Sequence, residues 1–523
     1  MKTKFLLCLA VAIMASLTSQ AVDGKVKIQV KWGDEFQVPK KHIEENFVGN
    51  MQDGFLLISM QQRKSVCFQK FDTALKANGE KVQSLEALPK QYGNQGIRIV
   101  GRKVYWFYSQ EGQNDVGEHL YAQEIDVKKG DFAGPAREIA VASDAISGYW
   151  STDRSADSSK FLLKYTLLPV RKRGEPEFTT LGLVVMDNTL KQLWKKEVEL
   201  PYSQDASEME SYQIDRNGNV FVLLKVYESG KKREVKDDQP NYHYEVLKYS
   251  RTTDKPAIAK FDFGDRYVVD IALVEDYNGR MICAGFYSGQ AHFSAEGAFL
   301  YTFDEATMAT KAIDKGFYEF PLEVMKQYES ERTQKKLDKA ESKGKSTEVP
   351  QLKFKSLRVA EDGSITLFGE QSYVVQVSYY SGNTWYTRTT YHEDDIYAVK
   401  VAADGQLRWV RKVPKRQAGN STIGLSYFLR SDGNDNYLFF ADNIKNLDLH
   451  TDEVPAAHVG GAGGILMCVK ITDDGVVSKS NIYDFREEDA YMYPENFRSV
   501  SARQIIGRGR DHKISLPLLI NME

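Results

Sequence analysis

The chain is poor in cysteine, proline and histidine: 4, 14 and 8 of them are spread over 523 residues. So few cysteines cannot supply a disulfide scaffold for a chain of this size, and the fold must rest on buried apolar surface. Cys67, Cys283 and Cys468 each sit in an apolar stretch (SVCFQKF, RMICAGF, ILMCVKI). No two share a metal-ligand spacing, so all three read as buried, unpaired core residues. Charge of one sign is also lacking. Lys and Arg number 69 against 72 Asp and Glu, for a net charge of −3, without the basic surplus of a nucleic-acid binder. No segment of the mature chain reaches 18 unbroken apolar residues, so no transmembrane segment is expected there. A phosphate-binding glycine loop, a nucleophile elbow and a Cys/His pair at catalytic spacing are missing too. No cofactor and no metal site is expected.

Aromatic residues are plentiful at 12%, with 29 Tyr and 26 Phe, and 38 glycines accompany them. That composition favours strands joined by tight turns. The first residues have a different character. Lys2 and Lys4 precede an apolar run over residues 5–15, and Ser19 and Ala21 form a small-residue cleavage site. Residues 1–21 are therefore read as a signal peptide, with the mature chain beginning at Val22. Cys8 follows Leu7, where lipid attachment wants a small residue, so it belongs to the signal core. The expected location is the periplasm, the outer-membrane surface or the extracellular space.

One unit recurs along the mature chain. It opens with a turn at Asp53-Gly54, Asn217-Gly218, Asn278-Gly279, Asp362-Gly363 and Asp432-Gly433. Such dipeptides reach positive φ cheaply and suit hairpins. Apolar strands follow them: FLLISM, VFVLLKV, RMICAGFY, ITLFGE and YLFFAD. A second apolar strand ends at Phe71-Asp72, Ile125-Asp126, Met186-Asp187 and Phe303-Asp304, with looser copies at Tyr249, Val401, Ile471 and Ile520. These marks define eight units of about 60 residues. Further strands carry Trp and then Pro, as in Trp194 and Pro201, Trp409 and Pro414, and Trp32 and Pro39. Proline suits an edge strand, where a missing N–H costs little. The period predicts an all-β fold over residues 22–523: one eight-bladed β-propeller, or a seven-bladed one if a unit is degenerate. Residues 26–38 would be the outer strand of the last blade.

In that architecture the tight turns share one face and the long loops share the other, which is where binding usually sits. Two inserts enlarge the loop face. Residues 322–349 carry 7 Lys or Arg and 6 Asp or Glu in a helix-forming stretch with a short apolar stripe of Leu322, Met325 and Tyr328. Residues 370–395 read as a long hairpin turning at Gly382-Asn383. Around the turn, Tyr373, Tyr379, Tyr380, Trp385, Tyr386, Arg388, Tyr391 and His392 form an aromatic-polar array. These side chains are candidates for a ligand or partner platform, or for cross-strand pairs that hold the hairpin together. His119, His243 and His392 each lie where a long loop enters its strand, near Asp237, Asp238, Glu393, Asp394 and Asp395, yet without metal-ligand spacing. Asp215-Arg216-Asn217-Gly218-Asn219 reads as a hairpin turn, since the closing Glu of a calcium loop is missing.

In the sixth and seventh units, AEDGSITLFGEQSY, the aromatic insert and DDIYAVKVAADGQLRWVRKVPKRQ resemble a family of exported Bacteroidetes proteins with β-propeller-like repeats. The matching positions are Asp362-Gly363, Gly369-Glu370-Gln371, Asp394-Asp395-Ile396 and Trp409 through Gln417. The resemblance implies export and an all-β repeat fold, and it brings no activity with it. The sequence therefore points to an exported, non-enzymatic binding or scaffold protein that contacts an envelope protein or glycan through its loop face. The alternative is a carbohydrate-active hydrolase or lyase using rim carboxylates and histidines, with two carboxylates assembled from different blades.

Overall fold

The computed structural model describes residues 27–523, apart from 87, 89–91, 113–116, 170–172, 277, 292–293, 346, 462, 487–489 and 512. The expected signal peptide over residues 1–21, with Cys8, lies outside them. Among the described residues eight sheets of four or more strands follow one another along the chain, antiparallel except for one short parallel pair in the sixth. They span residues 43–84, 93–141, 151–203, 207–261, 267–319, 352–419, 428–484 and finally 498–522 with 28–37.

Each sheet begins with an inner strand that turns tightly into a second one. In the fourth and sixth sheets the turning glycines, Gly218 and Gly363, have φ of 79° and 82°. The preceding aspartates close those turns: Asp215 accepts from the N–H groups of Asn217 and Asn219, and Asp362 from that of Ser364. The second strands lie between neighbouring sheets. Val220–Tyr227 and Met281–Ser288 are buried at every position, which is why they read as continuous apolar runs. The outer strands keep one exposed edge; Pro201 lies within one of them, and Pro321 and Pro414 follow the ends of two others.

Eight apolar clusters lie between successive sheets. The eighth joins the last sheet to the first, packing Ile506 and Leu519 against Phe47, Phe55, Leu57 and Phe71. The sheets therefore form a closed ring, the β-propeller that the repeat predicts. The ring is sealed by backbone pairing between the two ends of the chain. Ile28–Trp32 runs antiparallel to Ile514–Met522, from Ile28 opposite Met522 to Trp32 opposite Leu518, and Phe36 pairs with Ser515.

A second regularity has no counterpart in the sequence reading. The inner strands of five sheets carry a β-bulge near their start, between Glu44 and Asn46, Asn94 and Gly96, Met209 and Ser211, Val268 and Asp270, and Phe354 and Ser356, and that of the last sheet carries one at its end, between Ser499 and Ser501. A bulge re-aims a side chain, and the sixth sheet uses this to place Lys355. The charged insert forms two helices, Leu322–Lys326 and Glu331–Glu341. Its anchors are Val324 and Met325, while Leu322 and Tyr328 are only half-buried. Cys67, Cys283 and Cys468 are buried and free. Among the described residues, no helix is long and apolar enough to cross a membrane.

Removing residues 27–38 would expose the edge of Ile514–Met522 and strip Ile28, Phe36 and Val38 from two apolar clusters. The expected loss is about 5 kcal/mol, with association through the opened edge. Denaturant unfolding and light scattering check this; an unchanged midpoint and a monodisperse product would show that closure contributes little.

Candidate functional site

The hairpin of the sixth sheet is its most distinctive feature. Its strands, Ile365–Ser381 and Thr384–Val401, are 17 and 18 residues long. Gly382 and Asn383 have φ of 54° and 64°, the two positive values that a two-residue hairpin turn of this hand requires. The lower part belongs to the sheet. Gln417–Gly419 braces one edge, pairing with Tyr391, His392 and Glu393, and is itself flanked by His458–Val459. Residues 374–390 extend beyond this support as a two-stranded ribbon, about 25 Å long at ~3.3 Å per residue.

The register divides the aromatic array between the two faces of the ribbon. On one face Tyr379 stacks on Tyr386 at 5.7 Å, with Val377 opposite Arg388 below them and Tyr373 stacked on His392 at 4.6 Å at the foot. On the other face Tyr380 meets Trp385 at 5.5 Å and Val374 lies opposite Tyr391. The rings are thus cross-strand pairs, and those near the tip are also open to solvent: Trp385 is 70% exposed and Tyr380 58%. Tyr391 and His392 are half-buried and belong to the foot. The candidates therefore form two faces instead of one platform.

Below the ribbon lies a buried ionic network that sequence reasoning did not identify as a site. The Glu370 and Lys415 side chains are fully buried and form an ion pair of 2.8 Å. Lys355, brought inward by the bulge of the inner strand, reaches Glu370 at 2.8 Å and Glu393 at 3.3 Å. The Lys415 ammonium also donates to Gln417 Oε1 at 2.9 Å and to the Glu393 carbonyl. Ser426 Oγ donates to Glu370, and Ser372 Oγ to Glu393. Asp395 accepts from the Lys415 N–H and pairs with Lys412, which also holds Glu329 of the helical insert. Asp394 accepts from the Tyr373 hydroxyl and the Gln417 N–H. Residues 369–371, 394–396 and 409–417 meet here. The sequence carries no mark that sets Lys415 apart, since it stands in VRKVPKRQ among three other basic residues.

Burial opposes the charge on Glu370, but Lys415 and Lys355 outweigh it and hold the carboxyl well below its ordinary range. Burial, reinforced by the neighbouring Glu370, pushes Glu393 up. Burial likewise raises Asp442 to about 6 and Glu495 to about 7.

Beside the network a cleft of about 340 Å³ opens between three loops. Met325, Tyr328 and Leu337 of the helical insert form one wall, Gln371, Asp394 and Asp395 of the hairpin foot a second, and Val454 and Pro455 of the seventh sheet's long loop a third. Hydrogen bonds tie the loops together: Tyr328 N–H donates to the Thr451 carbonyl, and Gln371 Nε2 to that of Pro350. Tyr328 has φ of 62°, unusual for a bulky residue. Glu370 and Glu393 have opposing shifts, yet neither lines this cleft.

The three loop-entry histidines do not converge. His119 pairs with Glu138 at 2.7 Å, His243 with Glu228 and Glu245, and His392 with the ring of Tyr373. Among the described residues no three His, Cys, Asp or Glu are placed to hold a metal.

Two results are expected. Lys415→Met leaves Glu370 buried and short of one cation, at a cost of about 3–5 kcal/mol; adding Glu370→Gln should reduce that loss, and an equal or larger loss would show that the pair is not the coupled unit. The second concerns pH. Glu393, Asp442 and Glu495 have folded pKa values above their unfolded ones, so the native state binds more protons between about pH 4 and 7. Their contribution is full below that window and lost as pH rises through it. Melting temperature should fall from pH 5 to pH 8, and Glu495→Gln should flatten the slope; an unchanged slope would show that this carboxyl does not titrate there.

No family model and no curated protein matches the chain. Among solved structures it is similar to the polysaccharide lyase Uly1 (10% identity, TM-score 0.41, covering 94% of this chain and 99% of that one). It is also similar to the WD40 domain of SCAP from fission yeast (9%, TM-score 0.38, 93% and 98%) and to an oligogalacturonate lyase in complex with manganese (7%, TM-score 0.36, 94% and 98%). At these identities the likeness concerns the fold alone.

Proposed function

We propose that this protein is an exported, non-enzymatic binding protein of the cell envelope, and that its ribbon is the contact surface for a protein partner. The observation that carries this reading is the solvent exposure of paired rings on both faces of a ribbon whose foot is anchored in a buried ionic network. The exposed parts of Tyr379, Tyr380, Trp385, Tyr386 and three valines amount to on the order of 600 Å², close to the ~800 Å² that one side of a standard protein interface buries. Val374, Val375 and Val377 interleave with the rings, and branched aliphatic chains suit a protein surface better than a sugar face. A ribbon this apolar, with Arg388 as its one charge, is an aggregation hazard unless something covers it.

Trp385→Ala should weaken partner binding by about 2 kcal/mol or more, Tyr380→Ala by less, and both should leave the melting temperature of the propeller nearly unchanged. Recovery of envelope proteins with the full chain and with residues 374–390 replaced by a short turn checks the reading. Equal recovery by both would remove the ribbon as the contact. Lower melting with unaltered recovery would leave the rings as a zip for the hairpin only.

A further inference from the structure

We propose that the cleft at the foot of the ribbon is an anchor pocket for a cationic side chain, a lysine ammonium or an arginine guanidinium, presented by the protein partner. This rests on the reading of the ribbon as the contact surface. The cleft is a depression about 340 Å³ in volume, large enough for one long side chain and too small for a strand. Its walls are of two kinds. Met325, Leu337, Val349, Val454 and Pro455 supply apolar surface for an aliphatic stem, and the Tyr328 ring adds an aromatic face. The polar lining is acceptor-rich: Glu329, Glu348, Asp394 and Asp395 supply four carboxylates against two cations, Lys415 and Arg416.

The cations are not equally available to a ligand. An ammonium has three hydrogens, and those of Lys415 go to Glu370, Gln417 and the Glu393 carbonyl. Lys412, behind the cleft, is held between Glu329 and Asp395 at 2.8 and 3.0 Å. Among the described lining residues Arg416 is the exposed cation, and because Glu329 and Asp395 already share Lys412, an anionic ligand would meet the carboxylates of Glu348 and Asp394 beside that one guanidinium. Long cationic side chains combine an apolar stem with a charged head, the two surfaces that this cleft offers. Burial raises the Asp394 carboxyl, so its charged form is under-compensated in the free protein. The helix Glu331–Glu341 forms part of the wall without a single fully buried residue, held by the Lys326–Asp338 ion pair and by Leu337. An occupant packed beneath it would make its backbone open less often.

The test titrates residues 22–523 with Nα-acetyl-arginine amide and with Nα-acetyl-citrulline amide, which keeps the shape and lacks the charge. Calorimetry gives affinity, and hydrogen exchange follows the helix. The arginine amide should bind at least tenfold more tightly than citrulline and slow exchange over residues 331–341. Val454→Trp fills the cleft without touching the ionic network and should weaken arginine binding at least tenfold; Glu348→Gln should weaken it by less. Equal binding of the two amides, no binding of either, or tighter binding of a neutral saccharide would overturn the proposal. Envelope-protein recovery separates it from the reading beneath it. If Val454→Trp retains the partner and ribbon replacement loses it, the ribbon stands and the pocket falls. If both lose it, both stand.

Discussion

The structure depends on one backbone pairing, between the strand at residues 28–32 and the strand at residues 514–522. A ring of sheets in which each buries both faces against its neighbours has no natural first or last member. If the last sheet lacked its outer strand, the edge of Ile514–Met522 would remain open and the cluster joining Ile506 and Leu519 to Phe47 and Phe55 would lose Phe36 and Val38. Borrowing the outer strand from the other end of the chain makes closure a matter of register. Each of five successive residues has one partner, so a slip by one would turn Ile28 from the core to solvent.

Closure in turn explains why elaboration is confined to one face. The tight turns are stapled to the next sheet. Trp194 Nε1 donates to the Gly218 carbonyl and Trp409 Nε1 to that of Asp473, each in the following sheet. Arg430 reaches Ser499, and Arg358 reaches Asn436, in the same sense around the ring. Turns that act as inter-sheet contacts cannot lengthen freely. At the opposite ends of the strands the inter-sheet bonds are made by the long loops themselves, as between Tyr328 and Thr451, and the helices, the ribbon and the long loop of the seventh sheet all appear there.

Much of this was legible in the sequence, because it follows from short-range chemistry. Asp-Gly and Asn-Gly mark the turns, a fully buried strand reads as an unbroken apolar run, and Gly382-Asn383 sets the hairpin register. The aromatic residues were visible as an array, but their division into two faces needed the alternation to be counted from the turn outward. The buried network was not legible as a site. Glu370, Lys415 and Lys355 lie 15 to 60 residues apart, and each lysine stands among other basic residues, Lys412 and Arg416 or Lys353 and Arg358, so it looks like a surface residue until its partner is placed. The bulge that directs Lys355 inward leaves no mark in composition. The cleft is formed by three loops from consecutive sheets, so no local pattern could announce it.

The network also clarifies what the ribbon requires. A two-stranded hairpin is marginal on its own in water, and a projecting one would fray from its base unless the base were fixed. Apolar packing could have fixed it with less desolvation, since a buried ion pair often gains little over a hydrophobic replacement. What ions add is direction. Lys415 satisfies acceptors from the second strand, the third strand and the bracing strand at once, through Glu370, the Glu393 carbonyl and Gln417. A shifted pairing of any one strand would leave a charge buried without its partner. The penalty for that error, several kcal/mol, exceeds what sliding one valine past another would cost. The ribbon is thereby held in one register and one direction, so that its rings can meet a partner already arranged.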